Sequence, residues 1–234
     1  DVYKRQIVNL SPMPRSVNQS REPARSGNPN TSARGSTPAG SARRAAILRA
    51  AMRLFREKGF RGTSINDIGA AAGVTGPALY RHFSGKGEVL TEAIREVSRR
   101  IAAATREATQ SECAEPRQTL EVLVRAYVEV ALDNADVYAA YVLEARHLEP
   151  ESRRSFRRSE LRHRDDWKRL VTEVHPTIDA KEASTMVTMA IFAIASLCME
   201  TSRLERAAQV EMATTRVMAL LLAPPLYAAG GSAT

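Results

Sequence analysis

Between Thr63 and Phe83 the chain leaves room for only two short helices pinned together by a tight turn. Thr63-Ser64-Ile65-Asn66-Asp67 opens the first, and Ser64 with Asp67 imitates a capping box in which Asp replaces the usual Glu. That helix presents Ile65, Ile68 and Ala72 on one side and stops at Gly73. After Val74, Thr75 is placed to cap the second helix, and Pro77 stands in its first turn, where a missing N–H does no harm. Leu79 and Phe83 are its inward residues. A turn glycine, apolar positions on both sides of it and polar residues on the outward face of the second helix together describe a helix-turn-helix.

The flanking sequence supplies a helix on either side. Ile47, Leu48, Ala51, Leu54 and Phe55 share one apolar face, with Ser41 as N-cap, Gly59 at the left-handed C′ position and Phe60 after it. Ser84 is placed to cap a further helix with Lys86 and Glu88 in its first turn and Val89, Leu90, Ala93, Ile94, Val97 and Ile101 on one face. Beyond it every segment reads as helix. Pro116 opens one through Leu120, Leu123, Val124, Tyr127, Val128 and Ala131. A short helix runs from Asp136 to about Arg146. Pro150 opens another, with Phe156, Trp167, Leu170, Val171 and Val174 inward. Asp179 and Glu182 form a capping-box pattern ahead of an apolar helix reaching about Ser202, and a last helix spans Glu205 to Leu222 before Pro224-Pro225. No β-branched alternation suggests a sheet. The expected fold is all-α, with an N-terminal three-helix helix-turn-helix domain over 41–90 and a larger helical domain over 91–225. Residues 1–40, rich in Ser, Pro, Arg, Asn and Gly, read as a disordered leader, and 226–234 as a flexible tail. The lead-in Asp1-Val2-Tyr3-Lys4-Arg5-Gln6 resembles sequencing read-through or a cloning scar, with the true start further in.

Charge separates the two parts. The 234 residues carry a formal charge of +8, yet residues 1–90 hold 15 Lys/Arg against 5 Asp/Glu while 91–234 hold 19 against 21. Such asymmetry points to a polyanion partner for the first part, most often nucleic acid; a solvated basic tail is the plainer alternative. Two cysteines, Cys113 and Cys198, give neither a disulfide framework nor a CxxC pair, so a reducing, cytoplasmic compartment is expected. The stretch Met186 to Met199, interrupted by Thr188 and Ser196, falls short of the ~18–20 apolar residues that cross a bilayer, and no secretory signal is visible. No HExxH, GxSxG, GxGxxG or P-loop pattern occurs and the four histidines are scattered. No catalytic residue, metal site or cofactor is therefore expected.

The stretch Ala45 to Ala93 resembles the DNA-binding domain of the TetR family of bacterial repressors. The matching text is Ile47-Leu48, Ala50-Ala51, Leu54-Phe55 and Gly59-Phe60, then Thr63-Ser64-Ile65 with Asp67-Ile68, then Ala71 through Phe83, then Ser84-Gly85-Lys86. It covers about a fifth of the chain. Gly69 departs from the family's usual Ala and Gly87 from a helix former, each a loosening of ~0.5–1 kcal/mol inside a helix. The resemblance implies a recognition helix over Gly76 to Phe83 lying in the major groove of an operator. Thr75, Gly76, Pro77, Ala78, Arg81 and His82 then lie near the bases. Arg81 is the one strong bidentate donor for guanine, and Pro77 and Ala78 are apolar partners for thymine methyls. Tyr80, His82, Lys86, Thr63 and Ser64 would hold phosphates, the last three at helix starts.

For the larger domain the resemblance implies a homodimer paired through the last two helices and an apolar or amphipathic effector held between helices. Ala190, Ala193, Ala195 and Ser196 are small enough for close approach at the dimer face. Tyr127, Tyr138, Tyr141, Met186, Met189 and Phe192 are candidate effector-lining residues, each equally readable as core. The run Arg153-Arg154-x-x-Arg157-Arg158-x-x-x-Arg162-His163-Arg164, followed by Trp167, together with Glu144-Ala145-Arg146-His147-Leu148, is similar to actinobacterial TetR-type regulators of lipid catabolism. Some of these sense acyl-CoA thioesters, whose phosphates suit a guanidinium cluster. A solvated helix face balanced by Glu149, Glu151, Glu160, Asp165 and Asp166 is the other reading of that run. The function implied is a repressor released from DNA by a ligand. A ligand-independent architectural DNA binder and an all-helical enzyme remain as alternatives.

Overall fold

The computed structural model describes residues 38–110, 115–200 and 202–226. The expected leader apart from Pro38, Ala39 and Gly40, the tail beyond Leu226, and Cys113 lie outside the described residues. What is described is all helical, with no β-strand. Helix α1 (Pro38–Gly62) is followed by α2 (Ile65–Ala71), α3 (Gly76–Tyr80), α4 (Lys86–Gln110), α5 (Pro116–Asp133) and α6 (Ala135–Glu144). A 3-10 turn (Ala145–His147) precedes α7 (Pro150–Val174), α8 (Ala180–Met199) and α9 (Arg206–Leu221).

Two apolar clusters organise these helices. The first gathers Ile47, Leu54 and Phe55 of α1, Ile68 of α2, Leu79 and Phe83 around α3, and Val89, Leu90, Ala93 and Ile94 of α4. It also takes in Ala140, Leu148 and Phe156 from α6, the loop before α7, and α7. The second is built from Val97 and Ile101 of α4, the inner faces of α5, α8 and α9, and Trp167, Leu170 and Val171 of α7. Helix α4 therefore serves both, its first half in one and its second half in the other. Helix α6 packs against α1 on one side and α8 on the other.

Local capping and turn signals act at several helix ends. Ser64 and Asp67 form the full reciprocal capping box of α2. The Thr75 hydroxyl caps α3, accepting the Ala78 N–H at 3.3 Å. Gly73 turns the chain between them at φ 66°, in the left-handed region that a side chain resists.

Other boundaries move, each for a physical reason. Ser41 lies inside α1 rather than at its cap, because the helix already runs from Pro38, a residue tolerated in a first turn. Gly59 interrupts α1 with the positive φ expected of it, 74°, but at ψ 161° rather than in the left-handed helical conformation, a combination open essentially to glycine alone. Helix α3, expected to run to Phe83, ends at Tyr80, with Arg81 and His82 forming a turn that returns the Phe83 N–H to the Leu79 carbonyl at 3.0 Å. Ser84 precedes the start of α4; its N–H and hydroxyl both donate to Glu88 Oε2, at 2.6 and 2.8 Å. Asp179 caps α8 by accepting the Lys181 and Glu182 N–H groups, and the Glu182 carboxylate accepts the Leu226 N–H. Because α8 begins at Ala180, it spans 20 residues with a mean hydropathy of 1.6, long and apolar enough to cross a membrane by length and composition, contrary to expectation. Only 33 % of that segment is buried within the chain. Ala190, expected on the partner-facing side, is instead fully buried among the core residues of α8.

Candidate functional site

The surface around α3 follows from the burial of its inner side. With Leu79 and Phe83 sealed at 0 % and 1 % exposure, the opposite face must look outward. Thr75, Pro77, Tyr80 and Arg81 are exposed, and Gly76, Ala78 and His82 half-buried. Tyr80 is 58 % exposed, a large aromatic ring with no apolar cover. Helix α2 approaches α3 so closely that a Cβ on Gly69 would stand 2.8 Å from the Val74 carbonyl oxygen. The glycine that breaks the family pattern thus permits the turn instead of loosening the helix.

Two expected phosphate holders are turned inward. Thr63 is 1 % exposed, its hydroxyl donating to the Gly59 and Leu54 carbonyls at 2.9 and 3.3 Å. Lys86 points its ammonium at the broken end of α1. It donates to the Phe60, Thr63 and Arg61 carbonyls at 2.7, 2.8 and 3.4 Å and lies 4.7 Å from the centroid of the Phe60 ring. All three ammonium protons thereby find carbonyls left without helical partners where α1 is interrupted. Ser64 stays exposed while capping α2. Arg44 carries no sequence signal beyond its charge, yet it is placed structurally. Its guanidinium lies 4.3 Å from the Phe83 ring centroid and donates to the His82 carbonyl at 3.2 Å, fixing the end of the recognition segment to α1.

Phe60 is gripped from both sides. Its N–H donates to Glu144 Oε1 at 3.0 Å, its carbonyl accepts from Lys86, and its ring stacks on His147 with centroids 4.9 Å apart. Glu144 is buried, and its second oxygen makes no hydrogen bond, lying 3.4 Å from His147 Nε2. Arg56 adds a link from α1, donating to Asp136 Oδ1 at 3.0 Å and to the Met199 carbonyl at 3.2 Å.

A cavity lies between α4, α5, α6, α7 and α8. Tyr127, Tyr138 and Tyr141 line it as expected from the sequence, beside Ile94, Val97 and Ile101 of α4. Five other expected residues do not. Arg162 is exposed on the outer side of α7. Trp167 is fully buried behind Tyr127, ring centroids 5.3 Å apart. Met186 is core, and Met189 and Phe192, 53 % and 39 % exposed, point outward from α8. In their place α7 contributes Phe156, Ser159, Glu160, His163 and Arg164. The one-turn recurrence of Phe156, Glu160, His163, Arg164 and Trp167 was the available signal for this face. Glu160 therefore does not belong to a solvated face. Burial raises its pKa above the ordinary carboxylate range, against the pull of Tyr141, Arg164 and Arg157. Burial likewise lowers His163, whose Nε2 lies 3.3 Å from the Ser159 hydroxyl, and pushes Tyr127 up to about 12.

Two family models match the chain, together over more than half of it. The first, bacterial regulatory proteins of the tetR family, matches residues 47–93, and the second, the tetracyclin repressor-like C-terminal domain, matches 113–203. The HTH-type transcriptional repressor KstR2 of Rhodococcus jostii is 35% identical over 108 residues, 46% of this chain and 52% of that protein. The chain thus spans about half the length of the curated relatives it matches. Among solved structures, the ketosteroid transcriptional regulator KstR2 of Mycobacterium tuberculosis superposes with a TM-score of 0.67 at 22% identity, over 76% of this chain and 93% of that one. AibR in complex with isovaleryl coenzyme A and operator DNA superposes with a TM-score of 0.63 at 19% identity, over 78% and 99%. These two likenesses bear on the fold.

Proposed function

The chain belongs to the TetR family of bacterial regulatory proteins, and on that premise we propose that it is a cytoplasmic, dimeric repressor that binds a palindromic operator and leaves it when an effector fills the large domain. In this reading residues 41–90 are the DNA-binding headpiece and 91–225 the sensing and dimerising part, and the protein is not an enzyme. The observation that carries the proposal is α3 itself, packed from behind by Leu79 and Phe83 with its polar side free. Arg81 reads a base edge, while Tyr80, Ser64 and His82 hold the backbone. The Lys86 ammonium braces the headpiece and leaves phosphate binding to its neighbours. Selection of bound oligonucleotides from a random pool tests this. A two-fold-symmetric site is expected, and Arg81→Ala should relax one base position in each half by ~1–3 kcal/mol. Recovery of unrelated sequences would favour an architectural binder.

The dimer is supported by α8 and α9. Met189, Phe192, Ala193 and Ser196 form an exposed stripe on α8, and Met212 stands exposed on α9. A second copy covering that apolar surface would complete a four-helix bundle.

The effector enters the cavity. Its walls suggest how binding reaches DNA, since α4 and α6 both touch it and both hold Phe60. Along α4, Ile94 and Val97 line the cavity and Lys86 takes the Phe60 carbonyl. Along α6, Tyr141 lines the cavity and Glu144, one turn on, takes the Phe60 N–H. An effector that separates α4 from α6 cannot leave both grips intact, and the headpiece follows; a coupling of ~1–3 kcal/mol is typical. An acyl-CoA is one effector this reading accommodates. Arg153, Arg154, Arg157 and Arg158 are exposed along the first half of α7 and form no ion pair with a described residue, and they suit a coenzyme's phosphates. Titration with a series of acyl-CoAs, followed through operator release, decides that point.

A further inference from the structure

One guanidinium joins three helices. Arg56 stands on α1 just before Gly59 interrupts it. Its Nη1 donates to Asp136 Oδ1 at 3.0 Å and its Nη2 to the Met199 carbonyl at 3.2 Å. Asp136 lies in the first turn of α6, and Met199 is the last residue of α8. Both partners suit a cation. The carboxylate is a counter-ion, and the last carbonyls of a helix lack partners within it and carry the negative end of its dipole. The planar fork of an arginine serves the two at once, and its half-buried position screens them less than a surface pair.

The place of this contact gives it a consequence. Past Gly59, Phe60 is held by Glu144 at the far end of α6 and by Lys86 of α4. Both of those helices line the cavity, so that hold belongs with the effector. Arg56 makes the hold on α8, the helix whose exposed stripe runs through Met189, Phe192, Ala193 and Ser196. Met199 follows that stripe by one turn. In a dimer paired through α8, this end of the helix is a fixed point beside the two-fold axis, and Arg56 ties α1 to it. Major-groove faces recur every ~34–36 Å along one side of the duplex, so one base pair more or less moves a half-site by about 3.4 Å and turns it by about 35°. A headpiece free to swing follows such a change, and one tied to the dimer frame does not.

We propose that Arg56 is a positioning residue that fixes each headpiece to the dimer frame and so sets the half-site spacing an operator must have. The proposal rests on the reading of the chain as a dimer paired through α8, and its test separates the two. The full chain, Arg56→Gln and Asp136→Ala are assayed on the two-fold-symmetric site that the unaltered chain selects from a random pool. The same site with one base pair inserted or removed at its centre is assayed alongside. The unaltered chain is expected to prefer its own spacing at least about tenfold. Arg56→Gln is expected to cut that preference to about threefold or less, and Asp136→Ala, which keeps the Met199 bond, to a value in between. Both variants should sediment as the unaltered chain does and keep its base preference within each half-site. A merely structural role would weaken all three spacings alike. Asp136 is partly exposed, so its variant leaves the core intact and decides the matter even where Arg56→Gln does not fold. Uniform loss across spacings, loss of the dimer, or an unchanged spacing preference in either folded variant overturns the role of Arg56. An unaltered chain that is monomeric, or that selects sites without two-fold symmetry, overturns the dimer reading together with it.

Discussion

At the scale of single residues, Gly69 and Gly87 look alike in the sequence and act in opposite ways. Both stand where the family uses a larger residue. A Cβ at Gly69 would meet the Val74 carbonyl at 2.8 Å, whereas at Gly87 it meets nothing within 4 Å. Gly69→Ala should therefore destabilise by about 1–3 kcal/mol, since a backbone oxygen must move. Gly87→Ala should stabilise by about 0.5–1 kcal/mol. Thermal denaturation of the two variants checks both signs at once. Glu160 supplies a pH dependence. Its folded-state pKa lies above the ordinary 4.5, so its ionisation opposes the fold. The handicap is absent at pH well below 4.5 and grows as pH rises through the folded-state pKa. Glu160→Gln should raise the melting temperature at pH 8, and the gain should vanish towards pH 4.

At the scale of elements, the predictive test is the double hold on Phe60. Glu144→Ala frees its N–H in a half-buried place, and Lys86→Ala frees its carbonyl. Each should cost about 1–3 kcal/mol and speed hydrogen exchange in α2 and α3 while the cavity keeps its protection. What was legible in the sequence at this scale is whatever depends on neighbours in the chain. The Ser64–Asp67 box, the Thr75 cap, the turn at Gly73 and the inward faces of α4 and α5 are all local, and all are where they were expected. The direction of Lys86 was not legible, because its acceptors exist only where Gly59 interrupts a helix that returns from elsewhere in the chain. The cavity was half legible. Three tyrosines on apolar faces were identifiable, but Glu160, His163 and Arg164 alternate charge with apolar residues as a solvated face does. Only the packing of α4 and α6 against α7 distinguishes the two. Arg162 and Arg164 differ by two residues, which on a helix is 200° and the difference between solvent and cavity.

At the scale of the whole molecule, the exposed apolar stripe of α8 sets the expected assembly. Phe192→Glu would place a charge at the centre of that face while leaving the chain's own core untouched, as Phe192 is 39 % exposed. Sedimentation should then show a monomer for the variant and a dimer for the unaltered chain, with operator affinity lost along with the dimer. A folded Phe192→Glu variant that remains dimeric would place the interface elsewhere.

The sharing of α4 between two apolar clusters also limits how this protein could be re-engineered. A headpiece excised at residue 90 would be missing Ala93 and Ile94 and would have an open wound where Ala140, Leu148 and Phe156 had been. Grafting it onto a foreign sensor would require the recipient to refill that hollow with side chains of matching shape. Swapping sensors among such regulators is for this chain a problem of fitting a lid, and a seam drawn by counting residues will leak.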